Sequence, residues 1–224
     1  MFFNLDEAPL DRFEPRNMVG VATVYGRSYY NIVNALKLMD LTYESLSPEQ
    51  ADSSDTGVVI TTKDESGIIH RKNVLLDTEL DEVPILSKAK ILRAIMRYSK
   101  DESLIIGVDP GYRIGISVIY FHNEIESFVE HSPQSAIEII SVILSGIVSR
   151  RKLVKIGDGN ISMCNDIAKA LKMKFKDSVV IEIVDEYGTS LRRSAYSNRR
   201  GIRDCSSAKA IAFRSGKVLH AHSY

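Results

Sequence analysis

Four acidic residues occupy positions from which the chain can gather them into one cluster. Each lies next to an apolar segment: Asp109, Asp158, Glu186 and Asp204. Carboxylates that come close together repel one another unless a cation lies among them. Oxygen-only ligation favours Mg²⁺ or Mn²⁺, and two such ions activate a water and stabilise the leaving oxygen of an in-line displacement. The sequence therefore predicts a divalent-cation site in which all four acids are metal ligands and catalytic groups.

Three of these assignments also have alternatives. Asp158 lies between two glycines, a pattern that is equally typical of a turn. Asp204 precedes an apolar stretch and fits the N-cap of a closing helix. Asp185 is an alternative to Glu186 as the inward acid, because neighbouring residues of a strand face opposite sides of a sheet.

A basic segment joins Glu186 to Asp204. It contains no acid, has interleaved tyrosines and carries five arginines: Arg192, Arg193, Arg199, Arg200 and Arg203. Because predicted site acids anchor both of its ends, the arginines must lie beside the site. Guanidinium groups suit phosphate oxygens, so we expect these side chains to bind an anionic substrate such as nucleic acid. A solvated basic loop is the alternative.

The elements that must position these residues are clearest in the second half of the chain. Apolar runs separated by turn residues predict five strands, at 104–109, 114–121, 125–130, 152–156 and 179–184. Tight turns make the first three strands antiparallel, and helical segments make the later ones parallel crossovers. A helix over 208–218 closes the order βββαβαβα. We predict a mixed five-stranded sheet, with Asp109, Asp158 and Glu186 at matching strand ends.

The first half predicts a smaller α/β unit. Short apolar runs indicate strands, the spacing of residues 28–39 predicts a helix, and Ser87 is a plausible N-cap for a second helix. The polar segment 99–103 is the best boundary. The predicted domains are therefore 1–100, with no role that the sequence reveals, and 104–224.

Composition excludes several classes of protein. The 224-residue chain has a formal net charge of zero, so no global basic charge attracts nucleic acid. It has no apolar run of the roughly 20 residues that a membrane span needs, and no signal peptide. Two cysteines are too few for a disulfide framework, which favours a cytoplasmic location. The Gly-rich loop of a P-loop nucleotidase is missing.

Four segments, in order, resemble motifs of RuvC and YqgF proteins. Residues 106–115, Ile-Gly-Val-Asp-Pro-Gly-Tyr-Arg-Ile-Gly, are similar to the first-strand signature of that family. Residues 156–160, Ile-Gly-Asp-Gly-Asn, resemble a segment in the YqgF-like domain of Tex proteins. Residues 184–190 resemble the YqgF Asp-Glu-Arg-Leu-Thr motif, and residues 204–212 resemble the Asp-x-x-x-Ala pattern of the closing helix. The resemblance covers about half of the chain.

The resemblance implies a ribonuclease H-like (RNase H-like) fold and a metal-dependent nuclease. Its substrate would be a DNA four-way junction or a structured RNA, and a junction-cutting enzyme is expected to be a homodimer. Arg113 is the basic residue of the first motif, and we expect it to bind substrate. Two features depart from the family: Tyr187-Gly188 replaces Arg-Leu, and residues 1–100 have no counterpart in a minimal YqgF protein.

Two alternatives remain at the level of sequence. An RNase H-like domain can hold nucleic acid or a ribonucleoprotein without cutting it, because a fold does not fix a function. Asp109-x-Gly111 also fits the phosphate loop of an actin- or hexokinase-type ATPase, although that architecture needs two related lobes.

Overall fold

The computed structural model describes three stretches of the chain, residues 18–96, 99–186 and 200–219. The chain divides into two compact units: unit 1 spans residues 1–97 and unit 2 spans residues 98–224. Within the described stretches, no helix is both long and apolar enough to cross a membrane.

Unit 1 is built on a four-stranded parallel sheet. Its strands are β1 (Val19–Ala22), β2 (Tyr43–Leu46), β3 (Val58–Thr61) and β4 (Val74–Leu76). They lie in the order β2-β1-β3-β4. Helix α1 (Gly26–Leu38) connects β1 to β2, and α2 (Pro84–Ile95) follows β4. Val21 and Ile60 of the sheet share a core with Leu36 of α1. Their strands, β1 and β3, are short apolar runs because a parallel sheet is usually buried.

The prediction that Ser87 caps α2 is wrong. The helix begins at Pro84, whose missing N–H fits the first turn of a helix. Ser87 lies inside the helix and is 1% exposed. Its hydroxyl accepts a hydrogen bond from the Asp81 N–H at 2.6 Å and donates one to the Asp81 carbonyl oxygen at 3.1 Å. Ser87 therefore ties the preceding loop to the helix instead of starting the helix.

Unit 2 is built on a six-stranded mixed sheet. Its strands are β5 (Ser103–Pro110), β6 (Ile114–Tyr120), β7 (Asn123–Glu130), β8 (Arg151–Gly157), β9 (Val180–Val184) and β10 (Lys217–Val218). They lie in the order β10-β9-β8-β5-β6-β7. Strands β5, β6 and β7 are antiparallel, while β8 is parallel to both β5 and β9. Among the described residues, the α-helices of this unit are α3 (Pro133–Gly146), α4 (Ile161–Phe175) and α5 (Arg200–Phe213).

The predicted α/β class and mixed sheet are confirmed, but a five-stranded sheet closed by a helix over 208–218 is wrong. Helix α5 begins at Arg200 and ends at Phe213, and the chain then returns to the sheet as β10, antiparallel to β9. A Cβ at Gly216 would lie 2.7 Å from the Ile183 carbonyl oxygen, so glycine permits this close return. Apolar residues continue at helical spacing beyond Phe213, so the sequence pattern does not show that α5 ends there.

The two units differ in the architecture of their sheets. The sheet of unit 1 is entirely parallel, whereas that of unit 2 begins with an antiparallel meander. In the described residues, the two sheets therefore do not share one architecture, which argues against the ATPase alternative.

Candidate acidic site

Helix α5 lies against β5 and β6 at two positions where glycine leaves room for its backbone. A Cβ at Gly107 would collide with the carbonyl oxygen of Ala208, and a Cβ at Gly115 would collide with the backbone of Asp204. Only glycine allows two backbones to approach this closely. Because Gly115 pairs with Asp109 across the two strands, the contact brings Asp204 to the same strand end as Asp109.

Asp109 is the central acid of the site. Burial, followed by the negative charges of Glu186 and Asp204, raises the pKa of its carboxyl to about 6, while a hydrogen bond with Ser207 lowers it. A like charge raises the pKa of an acid when the two groups are close. Asp109, Glu186 and Asp204 therefore form one electrostatic cluster, although they come from three separate parts of the chain.

Glu186 reaches this cluster over two glycines, Gly157 at the end of β8 and Gly159 just after it. A Cβ at Gly157 would collide with Oε1 of Glu186, and a Cβ at Gly159 would lie 2.5 Å from its Oε2. The Gly159 N–H also donates a hydrogen bond to Oε1 at 3.1 Å. These two glycines leave the space that the Glu186 carboxylate occupies.

Asp158 acts on the backbone of Glu186. Its Oδ1 accepts a hydrogen bond from the Glu186 N–H at 3.0 Å, and its own N–H donates to the Val184 carbonyl oxygen at 3.1 Å. Both bonds tie the loop after β8 to the end of β9. The acids whose charges raise the pKa of Asp109 are Glu186 and Asp204. Asp158 therefore supports Glu186 structurally, and its role as a metal ligand stays a prediction.

The structure also distinguishes Asp185 from Glu186. Asp185 is exposed, whereas Glu186 is partly buried over the glycines. The Asp185 backbone carbonyl accepts a hydrogen bond from Arg214 Nη1 at 3.3 Å. Glu186 is therefore the inward acid.

Asp204 is the fifth residue of α5, so its interpretation as an N-cap is wrong. Its Oδ2 lies 3.6 Å from Nε of Arg113, and the two side chains are 28% and 27% exposed. Arg113 stands in the turn between β5 and β6. The structure thus brings Arg113 to the acids, while its binding of substrate stays a prediction.

The structure describes only part of the predicted arginine cluster. Arg192, Arg193 and Arg199 lie outside the described residues, and Arg200 is described only as the first backbone position of α5. Arg203 is exposed on the first turn of that helix, next in sequence to Asp204. The basic side chain that contacts an acid of the site is thus Arg113, whereas Arg203 is placed near Asp204 by sequence alone.

Ser207 is the site residue that the sequence analysis missed. It lies three residues after Asp204, so both side chains occupy one face of α5 and meet the end of β5. Its hydrogen bond with Asp109 helps to keep that carboxyl ionised. The Asp-x-x-Ser spacing could have revealed it, but the predicted start of the helix at 208 left Ser207 in a loop.

The negative charge of the site also affects a nearby thiol, that of Cys164. Burial, with contributions from the charges of Asp158 and Glu186, raises the pKa of Cys164 to about 11. Cys164 is buried and Cys205 is partly buried. Cys164 is therefore a protonated core residue and not a nucleophile at neutral pH.

The chemistry of the donors fits a hard divalent cation, because Asp109, Glu186 and Asp204 offer only carboxylate oxygens. Their positions in the structure, however, do not yet form such a site. Within residues 18–96, 99–186 and 200–219, no group of three or more His, Cys, Asp or Glu side chains is arranged to hold a metal ion. Asp204 faces Arg113, and Glu186 accepts the Gly159 N–H. Metal binding would therefore require these side chains to move away from their present partners.

No family model matches this chain, and no curated protein matches it either. The geometry of the acids and the resemblance of four short segments are therefore the features of this chain that indicate a function.

Proposed function

We propose that unit 2 is an RNase H-like domain that cuts phosphodiester bonds of structured nucleic acid with Mg²⁺ or Mn²⁺. The observation that carries the proposal is the convergence of Asp109 from β5, Glu186 from the end of β9 and Asp204 from α5. Bringing these charges together is unfavourable for folding, because the charges of Glu186 and Asp204 disfavour the ionised form of Asp109. Perturbed carboxylates in a cluster are typical of functional sites.

A divalent cation would offset that repulsion. Asp109, Glu186 and Asp204 would supply the oxygen ligands, and Ser207 orients Asp109 through its hydrogen bond. Asp158 keeps Glu186 in place by accepting its N–H. When bound, such an ion activates a water and stabilises the leaving oxygen of a phosphodiester.

Two features of unit 2 support the finer assignment of the fold. The antiparallel meander β5-β6-β7 is extended on the β5 side by the parallel strands β8 and β9. The acids come from the first strand, the end of β9 and the helix that follows it, which is the arrangement that the family resemblance implies. Strand β10 is an addition to that pattern.

The proposed substrate is nucleic acid because the guanidinium group of Arg113 stands beside the acids. Arg113 and Arg203 lie within a few residues of Asp109 and Asp204, and Arg is the residue best suited to phosphate oxygens. A four-way DNA junction and a structured RNA both present such phosphates. A junction would require two copies of the site, so this branch of the proposal includes a homodimer.

The direct test incubates the full chain with a labelled four-way junction, duplex DNA and structured RNA, each with Mg²⁺, Mn²⁺ or EDTA. We expect metal-dependent products from at least one substrate. Asp109→Asn should reduce the cleavage rate by several orders of magnitude while leaving binding intact, because it removes a ligand charge but keeps the shape of the side chain.

Asp166→Asn is the matched control. It makes the same change of charge at an exposed position of α4, outside the acid cluster, and should cut at the wild-type rate. If Asp109→Asn also cuts at the wild-type rate, the assignment of the site is wrong.

A second function, a scaffold that binds nucleic acid without cutting it, is favoured by one observation. Asp204 is paired with Arg113, and the described acids are not arranged to hold a metal ion in their present positions. Nucleic-acid affinity that is unchanged by EDTA, without product from any of the three substrates, would select the scaffold over the nuclease.

A further inference from the structure

One exposed aromatic ring lies beside the acidic site. Tyr112 is 99% exposed, a larger fraction than for any other large hydrophobic residue in the described part of the chain. It therefore makes almost no contribution to the packing of unit 2. Tyrosine in such a position is typical of a contact surface, because its ring is apolar and its hydroxyl remains wet.

The position of Tyr112 is fixed by the strands on either side of it. Pro110 pairs with Ile114, so the tip of the β5–β6 hairpin consists of only three residues. Tyr112 lies three residues after Asp109 and directly before Arg113, whose Nε is 3.6 Å from Oδ2 of Asp204. A short hairpin therefore carries an acid of the site, a guanidinium group and an unpacked aromatic ring.

A second exposed apolar side chain stands at the same edge of the sheet. Strand β8 is parallel to β5 and adjacent to it, so the loops after both strands emerge together. The loop after β8 contains Gly159, which contacts Glu186, and leads to Ile161, which is 69% exposed. Exposed apolar residues thus follow both central strands, next to the acids.

We propose that Tyr112 is a nucleobase-binding residue that stacks on an unpaired base next to the phosphate at the acidic site, with Ile161 contacting the adjoining nucleotide. This inference rests on the proposed function and specifies its substrate class. An aromatic face beside a guanidinium group matches a nucleotide, which has a flat base and an anionic phosphate. A base inside a continuous duplex has no free face, so the substrate must be single-stranded, bulged or open at the site.

A binding assay tests this inference without requiring cleavage. The full chain carrying Asp109→Asn is titrated into a DNA hairpin with one bulged 2-aminopurine, a fluorescent base whose emission falls when it stacks. The same probe with the base fully paired is the reference, and both titrations are run with Mg²⁺ and with EDTA.

In that assay, adding Tyr112→Ala should weaken binding of the bulged probe about 5- to 150-fold, the range expected for one base–aromatic stack, and should abolish the fluorescence change. Tyr112→Phe should keep both properties, because it keeps the ring. Ile161→Ala should weaken binding by a smaller factor. Phe213→Ala removes another exposed aromatic ring, 56% exposed at the far end of α5, and should change nothing.

Three results would overturn the nucleobase site: unchanged binding by Tyr112→Ala, equal losses for the bulged and paired probes, or equal losses for Tyr112→Phe and Tyr112→Ala. If the wild-type chain cuts nucleic acid but Tyr112→Ala binds and cuts normally, the nuclease proposal stands and this site fails. If nothing is cut but stacking depends on Tyr112, this site stands and the scaffold replaces the nuclease. Failure to bind any nucleic acid overturns both.

Discussion

Asp158 and Glu186 hold each other's loops in place. The Glu186 N–H donates to Oδ1 of Asp158 at 3.0 Å, and the Glu186 carboxylate accepts the N–H of Gly159, the next residue after Asp158, at 3.1 Å. One acid therefore fixes the backbone of the other, while the charge of that other acid raises the pKa of Asp109. The adjacent glycines leave the space for this arrangement.

This relationship predicts a difference between two substitutions of Asp158. Asp158→Asn keeps an oxygen that can accept the Glu186 N–H, so Mg²⁺-dependent cleavage should stay within about threefold of wild type. Asp158→Ala loses that oxygen and should reduce metal affinity or activity by about 10- to 100-fold, as is usual for residues that orient ligands. Rates measured across a Mg²⁺ titration distinguish the two. If Asn is as damaging as Ala, the charge itself is required and Asp158 is a metal ligand.

Asp109→Asn should stabilise the fold at neutral pH in EDTA. The pKa of Asp109 is about 6 in the folded protein and has an ordinary value of 3.8. Between these values the folded state keeps a proton that the unfolded chain has released, so stability falls as pH rises through this window. At pH values above this window, the full free-energy cost of ionising Asp109 in the folded state remains. Solvent screening of this partly exposed group limits the gain from Asn to about 1–2 kcal/mol.

Thermal unfolding measured from pH 4 to pH 8 checks this prediction. The advantage of Asp109→Asn over wild type should be small near pH 4 and should grow as pH rises toward 7. Asp166→Asn, at an exposed position of α4, should show no such growth. Added Mg²⁺ should raise the wild-type midpoint more than that of Asp109→Asn, since a ligand stabilises the state that binds it. An advantage that shrinks as pH rises would contradict the assignment.

Gly107→Ala should destabilise unit 2. The new Cβ would collide with the Ala208 carbonyl oxygen and lie 2.8 Å from the Cβ of Ala212, so α5 must move away from β5. Overpacking of this kind costs about 1–3 kcal/mol, and a shifted helix also displaces Asp204. Urea denaturation and cleavage assays should both show losses. Gly67→Ala is the control, because nothing lies within 4 Å of its new Cβ, and it should leave both measurements near wild type.

Lys155→Met should destabilise the end of the sheet that holds α5. Lys155 Nζ donates to the Arg214 carbonyl oxygen at 2.5 Å and lies 3.7 Å from Oε2 of Glu182, with the side chains only 11% and 12% exposed. Removing the ammonium leaves the Glu182 carboxylate buried without its countercharge, which costs about 3–5 kcal/mol. Lys155→Met combined with Glu182→Leu should recover part of that loss. A double variant no more stable than the single one would show that the ion pair is not the cause.

The sequence predicted the strands around the site because their apolar runs end at Gly, Pro and acidic residues. The predicted strand 104–109 corresponds to β5, and the predicted strand 152–156 corresponds to β8. The predicted start of the closing helix at residue 208 is too late, because the basic segment ahead of Asp204 has no apolar periodicity and the first turns of α5 are polar. The same error hid Ser207 and made Asp204 resemble an N-cap. Helix ends also depend on tertiary contacts, which the periodicity of a sequence does not show.

By itself, the sequence determined the α/β class, the order of most elements and the identity of the acids, because strand periodicity and residue chemistry are local properties. Only the tertiary structure decided that Glu186 and not Asp185 faces inward, that Asp158 supports a backbone, and that Arg113 pairs with Asp204. These outcomes depend on how closely α5 and the loop after β8 approach the sheet. Four glycines set that distance: Gly107, Gly115, Gly157 and Gly159. Only the three-dimensional structure shows which group each of them makes room for.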